Sequence, residues 1–402
     1  MQLKKVHVAT VLILAGLAGC APKVTPIGPG NAFQPTEKER RLWAMSSEHT
    51  RDFENGGMLY EDNALDEYVN GVLVRLLGGS RDEYSPLTAR ARIIDSPVFN
   101  AFAWPNGDIL IHTGTLGRLR NEAQLAMLLG HEITHATHRH GLCYNEKAYA
   151  ASGALAYISV LSAVGGGNVH SITSRMGTLI TMAAINGYGR ENEEESDRVG
   201  LLLMARAGYD PQEGARMFER VLAAIEDADR GWSFFYSSHP KMNDRVRSCR
   251  KWAAEMPSAE SSGAQELGSE RYLGAVLPLI HDEIERHIVQ GRFDLAEQSV
   301  GEVLQVLNDD AICYALRGEL LRARSKGSDL GNAERAYLEA LKIDGELPLA
   351  HRGLGLLLLK QGRELEALSH FRQYLTHAGD AADAAYIRQT VQNLEAGKGN
   401  SE

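Results

Sequence analysis

His131-Glu132-Ile133-Thr134-His135 constrains this chain more than any other stretch. Two imidazoles four residues apart can serve one metal ion if the backbone between them is helical, because i and i+4 then share a face. Glu132, beside the pair, can take a proton from a water at such an ion. The flanks agree. Asn121 at an N-cap position with Gln124 three residues later reads as a capping box. Leu125, Leu128, Leu129 and Ile133 then recur at helical spacing. The stretch predicts an amphipathic helix that carries both histidines. On these five residues alone, a buried helix with two satisfied histidines is the competing reading.

Two histidines leave a catalytic metal site incomplete; it needs one more protein ligand and an open position. Downstream, Glu191-Asn192-Glu193-Glu194-Glu195-Ser196-Asp197 is acidic and runs into the apolar, helix-patterned Arg198 to Met204. Glu193 and Asp197 stand at i and i+4 and share a face. One can bind metal while the other accepts a hydrogen bond from a ligand imidazole.

Five stretches in order now resemble the M48 family of zinc metallopeptidases. They are Asn100-Ala101-Phe102-Ala103-Trp104-Pro105-Asn106-Gly107, HEITH with Arg139-His140, Tyr188 through Asp197, Ala207-Gly208-Tyr209-Asp210-Pro211, and His239-Pro240 with Arg245. The likeness covers about residues 37 to 255 and is nearest to periplasmic, TPR-bearing members that act in outer-membrane protein quality control. It implies one Zn2+ per chain held by His131, His135 and Glu193, with Glu132 as general base and Asp197 as the partner of His131. It puts Asn100, Ala101, Phe102 and Ala103 on an edge strand that receives an extended polypeptide substrate. His239 and Arg245 are expected to face the cleft. With Tyr188 they are the candidates for stabilising negative charge on the tetrahedral intermediate. His239 has a second reading, as a gate on the open metal position. His138 reads as a structural or rim histidine rather than a ligand. Gly189 and Ser196 depart from the family's usual Ser and Ala, and neither change removes a ligand.

The N-terminus reads as a targeting segment. Lys4 and Lys5 precede a short apolar run, Val8 to Leu17, and Leu17-Ala18-Gly19-Cys20 matches a lipobox. Residues 1–19 are therefore expected to be a lipoprotein signal peptide, with Cys20 acylated and membrane-anchoring. Ala21 after Cys20 resembles outer-membrane sorting, which implies a periplasmic enzyme on the inner leaflet of the outer membrane. Residues 20–36, with four prolines, read as an extended tether. A net charge of −10 and no basic stripe argue against nucleic acid as a partner. Of the remaining cysteines, Cys143 and Cys249 are the one pair considered for a disulfide.

The expected fold is mainly α. Residues 37–255 form a zincin-type α+β protease domain with a small sheet, including short strands at Ala91 to Ile94 and Ile109 to His112. Apolar Ala151 to Val164, ended by Gly165-Gly166-Gly167, reads as a buried helix or lid, with membrane contact as the alternative. Residues 256–270 are small and polar and read as a linker. Within 271–398, Ala333, Tyr337 and Ala340 recur 34 residues later as Ala367, Phe371 and Tyr374. That is the period of TPR-like helical repeats, whose groove takes a protein partner, with outer-membrane assembly machinery a candidate. The functional expectation is a lipid-anchored zinc endopeptidase acting on extended or misfolded envelope proteins. The alternative is a chaperone or assembly scaffold working through the repeat groove.

Overall fold

The computed structural model describes residues 25–29, 33–141, 189–227, 242–256 and 266–399; helices and strands are numbered among these. It is mostly helical, with one three-stranded sheet. Cys20, Cys143, the 151–167 stretch, Tyr188 and His239 lie outside the described residues.

Helix α1 (Glu37–Asn55) starts at Thr36 with a full capping box: the Glu39 N–H donates to Thr36 Oγ1 and the Thr36 N–H to Glu39 Oε2. Helix α2 (Asn63–Leu76) starts on Asp62. Strands β1 (Arg90–Ile94), β2 (Ala101–Ala103) and β3 (Asp108–His112) lie in the order β1-β3-β2, parallel and then antiparallel. The expected strands are present, and β2 is an edge. A tight turn joins β2 to β3 at Gly107, where φ is +91° and a Cβ would meet the Ala89 nitrogen at 2.9 Å. Alternation sorts β3: Ile109 and Ile111 enter the main core, while Leu110 joins Phe53, Ile94 and Trp104 in a smaller core beneath α1.

A short turn, α3 (Thr113–Leu116), leads to α4 (Glu122–Thr137), the HExxH helix. The Asn121 side chain accepts the Gln124 N–H at 2.8 Å, as expected. The return arm differs: Gln124 Oε1 accepts from the Arg120 N–H, one residue early. The helix also departs from the amphipathic expectation. Every residue from Glu122 to Thr137 is buried, because sheet and helices cover α4 on all sides, so its leucines mark one face of a helix with no solvent face.

Helix α5 (Arg190–Arg206) packs on α4, and α6 (Gln212–Asp227) and α7 (Met242–Glu255) pair beside them. Seven helices follow: α8 (Ser269–Val289), α9 (Phe293–Val306), α10 (Ala311–Arg324), α11 (Asp329–Ile343), α12 (Pro348–Lys360), α13 (Glu364–His377) and α14 (Ala384–Gly399). They stack as helix pairs in which glycine receives an aromatic ring. A Cβ on Gly318 would collide with Tyr337, and one on Gly355 with Phe371. The recurring aromatic therefore has a packing cause.

Two expected connectors are docked. In the tether, Ile27 is buried and its N–H donates to the Thr137 carbonyl at 2.8 Å, at the end of α4. In the linker, residues 257–265 lie outside the described set, but the Leu267 carbonyl accepts the Ala123 N–H at 3.1 Å. Helix α8 packs on α2, α3 and α4, and one continuous apolar core runs from Leu65 to Val391.

Candidate metal centre

Helices α4 and α5 cross where both lack a side chain. A Cβ on Gly130 would lie 3.0 Å from the Gly200 Cα, and one on Gly200 would lie 3.0 Å from the His131 nitrogen. This contact brings the histidine face of α4 within reach of the acidic face of α5. His131 Nε2 and His135 Nε2 face each other at 3.1 Å. Glu193 Oε2 lies 3.6 Å from the former and Glu193 Oε1 3.5 Å from the latter. All three side chains are buried, and they are the one group of metal-type donors clustered among the described residues. Ligand bonds of about 2.0–2.1 Å in tetrahedral geometry set ligand atoms roughly 3.3 Å apart. The observed edges fit a zinc-sized ion.

Glu132 is 1% exposed on the same helix. Asp197 lies below the ligands: its Oδ1 accepts from His131 Nδ1 at 2.9 Å, the pairing expected for it. That bond leaves the lone pair of His131 on Nε2, toward the donor cluster. Burial and the nearby Arg245 cation push His131 down to about 4, so the imidazole is neutral at ordinary pH. Burial opposes charge on Asp197, but Arg245 and His131 outweigh it and hold the carboxyl below its usual range.

Arg245 departs from expectation. It is 6% exposed and does not reach out as a free donor. From α7 its Nε donates to Asp197 Oδ2 at 2.8 Å, Nη2 reaches Asp197 Oδ1, and Nη1 lies 3.2 Å from Glu193 Oε2. Its guanidinium also stacks 4.1 Å from the centre of the Phe218 ring. Two buried carboxylates in one place need a fixed cation, which explains the position. Cys249 on the same helix is buried and has no disulfide partner among the described residues.

His138 caps the end of α4, half-buried, with Nδ1 3.1 Å from Thr137 Oγ1. His140 is the site residue to which the sequence assigns no role. Arg139 turns left-handed at φ +59°, and this folds His140 back under His135, Nδ1 to Nδ1 at 3.0 Å. Its Nε2 lies 3.1 Å from Glu195 Oε2. The one sequence signal was a histidine just past the helix end; its direction depended on a backbone turn.

At β2, the His112 N–H donates to the Asn100 carbonyl and the Trp104 N–H to the Asp108 carbonyl. By alternation, the peptide groups of Ala101 and Ala103 point away from β3, where no further strand pairs among the described residues.

A small sheet, a buried HExxH helix and a glutamate from α5 completing a three-donor cluster define a metallopeptidase-type domain. Residues 65–253 match the model of Peptidase family M48, and the chain carries a peptidase M48 domain. It is 27% identical over 266 residues to the Beta-barrel assembly-enhancing protease of Escherichia coli (strain K12), covering 63% of this chain and 53% of that protein. It is 30% identical over 191 residues to the Mitochondrial metalloendopeptidase OMA1 of Schizosaccharomyces pombe, covering 47% of this chain and 53% of that one. The chain thus spans about half the length of these curated relatives.

Proposed function

We propose that this chain is a zinc-dependent endopeptidase. The observation that carries the proposal is the convergence of His131 Nε2, His135 Nε2 and the Glu193 carboxylate at 3.1–3.6 Å, beside Glu132, in an M48 domain. When bound, a zinc ion supplies Lewis-acid chemistry, acidifying water and polarising the scissile carbonyl. His131, His135 and Glu193 hold it. Glu132 accepts the proton of the attacking water and returns it to the leaving amine. Asp197 fixes His131, and Arg245 neutralises the two carboxylates. His239 and Tyr188 supply donors to the oxyanion, with gating at rest as a second role for His239. An extended peptide pairs with Ala101 and Ala103 along β2, which favours unfolded segments over folded substrates.

We further propose that Cys20 is acylated and holds the protein in the periplasm, on the outer membrane, where it degrades misfolded envelope proteins. The helix pairs α8 to α14 act as TPR-like repeats that dock a protein partner; the E. coli relative, a beta-barrel assembly-enhancing protease, points to β-barrel assembly. Their extent supports a second reading, a scaffold whose main output is docking. Purified Glu132→Gln protein decides between them. It should retain one zinc per chain and lose peptide cleavage, and cells carrying it should fail in envelope-protein clearance. Full clearance by the Glu132→Gln variant would put the scaffold reading first.

A further inference from the structure

We propose that His140 and Glu195 form a relay that orients His135, so that the two metal-binding histidines are held by different devices. The inference rests on the metal-site reading above. A histidine that offers Nε2 to a metal carries its proton on Nδ1. For His135, Nδ1 lies 3.0 Å from His140 Nδ1, so His140 accepts there. A neutral imidazole accepting at Nδ1 carries its own proton on Nε2. His140 Nε2 lies 3.1 Å from Glu195 Oε2, and the carboxylate takes that hydrogen bond. Every proton in the row follows from one requirement, a lone pair on His135 Nε2.

The contrast with His131 is physical. Its Nδ1 meets a carboxylate directly, buried and forked by Arg245. His135 meets a neutral ring, and the carboxylate stands one residue further out, where the Glu195 side chain is 52% exposed. His140 itself is 3% exposed and packs edge-on to His135, with ring centres 5.0 Å apart. His140 is thus a positioning residue: it acts on the metal through the tautomer and angle of His135. Residues from three local features make the row, namely the end of α4, the left-handed turn at Arg139 and the second turn of α5.

The test is zinc affinity of the full-length protein, measured by competition with a chromophoric chelator. Two substitutions separate hydrogen bonding from packing. In His140→Asn the side-chain oxygen can stand where Nδ1 stood and accept from His135. In His140→Leu the volume remains and the acceptor is lost. Zinc binding should weaken about 10–100-fold in His140→Leu, the usual cost of losing such a partner, and markedly less in His140→Asn. A packing role predicts the reverse order, and either that order or a His140→Leu variant with wild-type affinity overturns the proposal. Should His140→Leu fail to fold, as judged by circular dichroism of the metal-free protein, Glu195→Ala decides. This exposed change should loosen zinc several-fold, and unaltered affinity overturns the relay. A wild-type chain that binds no zinc sinks the metalloprotease reading as well, whereas zinc binding indifferent to His140 sinks this inference alone.

Discussion

Arg245 is the residue on which the metal-free site depends most. It lies between Asp197 and Glu193, both 3% exposed or less. Removing the cation takes away the positive charge that the two buried carboxylates share. Arg245→Met should therefore destabilise the metal-free protein by about 3–5 kcal/mol, measured by denaturant unfolding. Arg245→Lys should not restore it, because an ammonium cannot fork across both Asp197 oxygens while reaching Glu193. The ligands make a sharper claim about chemistry. Glu193→Ala should lose zinc, read by metal content after dialysis; full retention would remove Glu193 from the ligand set.

Among the elements, the α4–α5 crossing decides whether a site exists. At Gly130 and Gly200 a Cβ on either helix would meet the backbone of the other. Neither side offers a flexible side-chain tip that could yield. Gly200→Ala should force the helices apart by a few tenths of an ångström. We expect a loss of about 1–3 kcal/mol from overpacking. Zinc binding should weaken along with stability, since His131 directly follows the contact and Glu193 lies on the other helix. A Gly200→Ala protein with wild-type zinc affinity would show that the crossing does not set the ligand distances. Gly274 makes a control on α8, because a Cβ there meets nothing within 4 Å.

Over the whole molecule, Glu122 ties the HExxH helix to its surroundings. In the first turn of α4 it accepts from Tyr209 Oη at 2.7 Å, Tyr68 Oη at 2.8 Å and Arg271 Nη2 at 2.8 Å, with Arg75 Nη1 at 3.4 Å. Arg271 belongs to α8, so this one carboxylate joins the peptidase part to the helical array. Burial opposes its charge, but Arg271, Tyr209 and Tyr68 outweigh burial and hold the carboxyl below its usual range. Stability from such a group is fully present above its unfolded value, about 4.3, and is lost as pH falls through the lower folded value. Glu122→Gln should cost roughly 2–3 kcal/mol at neutral pH. The gap to wild type should close as the pH drops below about 4, measured as unfolding free energy at each pH. A gap independent of pH would contradict the ionised hub. The same docking predicts the outcome of a cut between residues 257 and 265. The two fragments should co-elute on gel filtration, because Tyr272 Oη donates to the Leu116 carbonyl at 2.6 Å and α8 shares the core of α2 to α4. Separate elution would show an independent array.

By itself the sequence determined what local rules encode. Helical spacing set His131 and His135 on one face, i and i+4 placed Glu193 with Asp197, and the short stretches Ala91 to Ile94 and Ile109 to His112 marked β1 and β3. The aromatic recurrence at Tyr337 and Phe371 marked the helix pairs. These patterns are local to the chain, so they can be read before it folds. Tertiary structure alone decided three things. Arg245 turned inward because two carboxylates from a different helix needed a cation. His140 came under His135 because one residue took a left-handed turn. Helix α4 lost its solvent face because the sheet, α5, α6 and α8 close around it. Each depends on what a distant segment brings to the same point, and no local period records that.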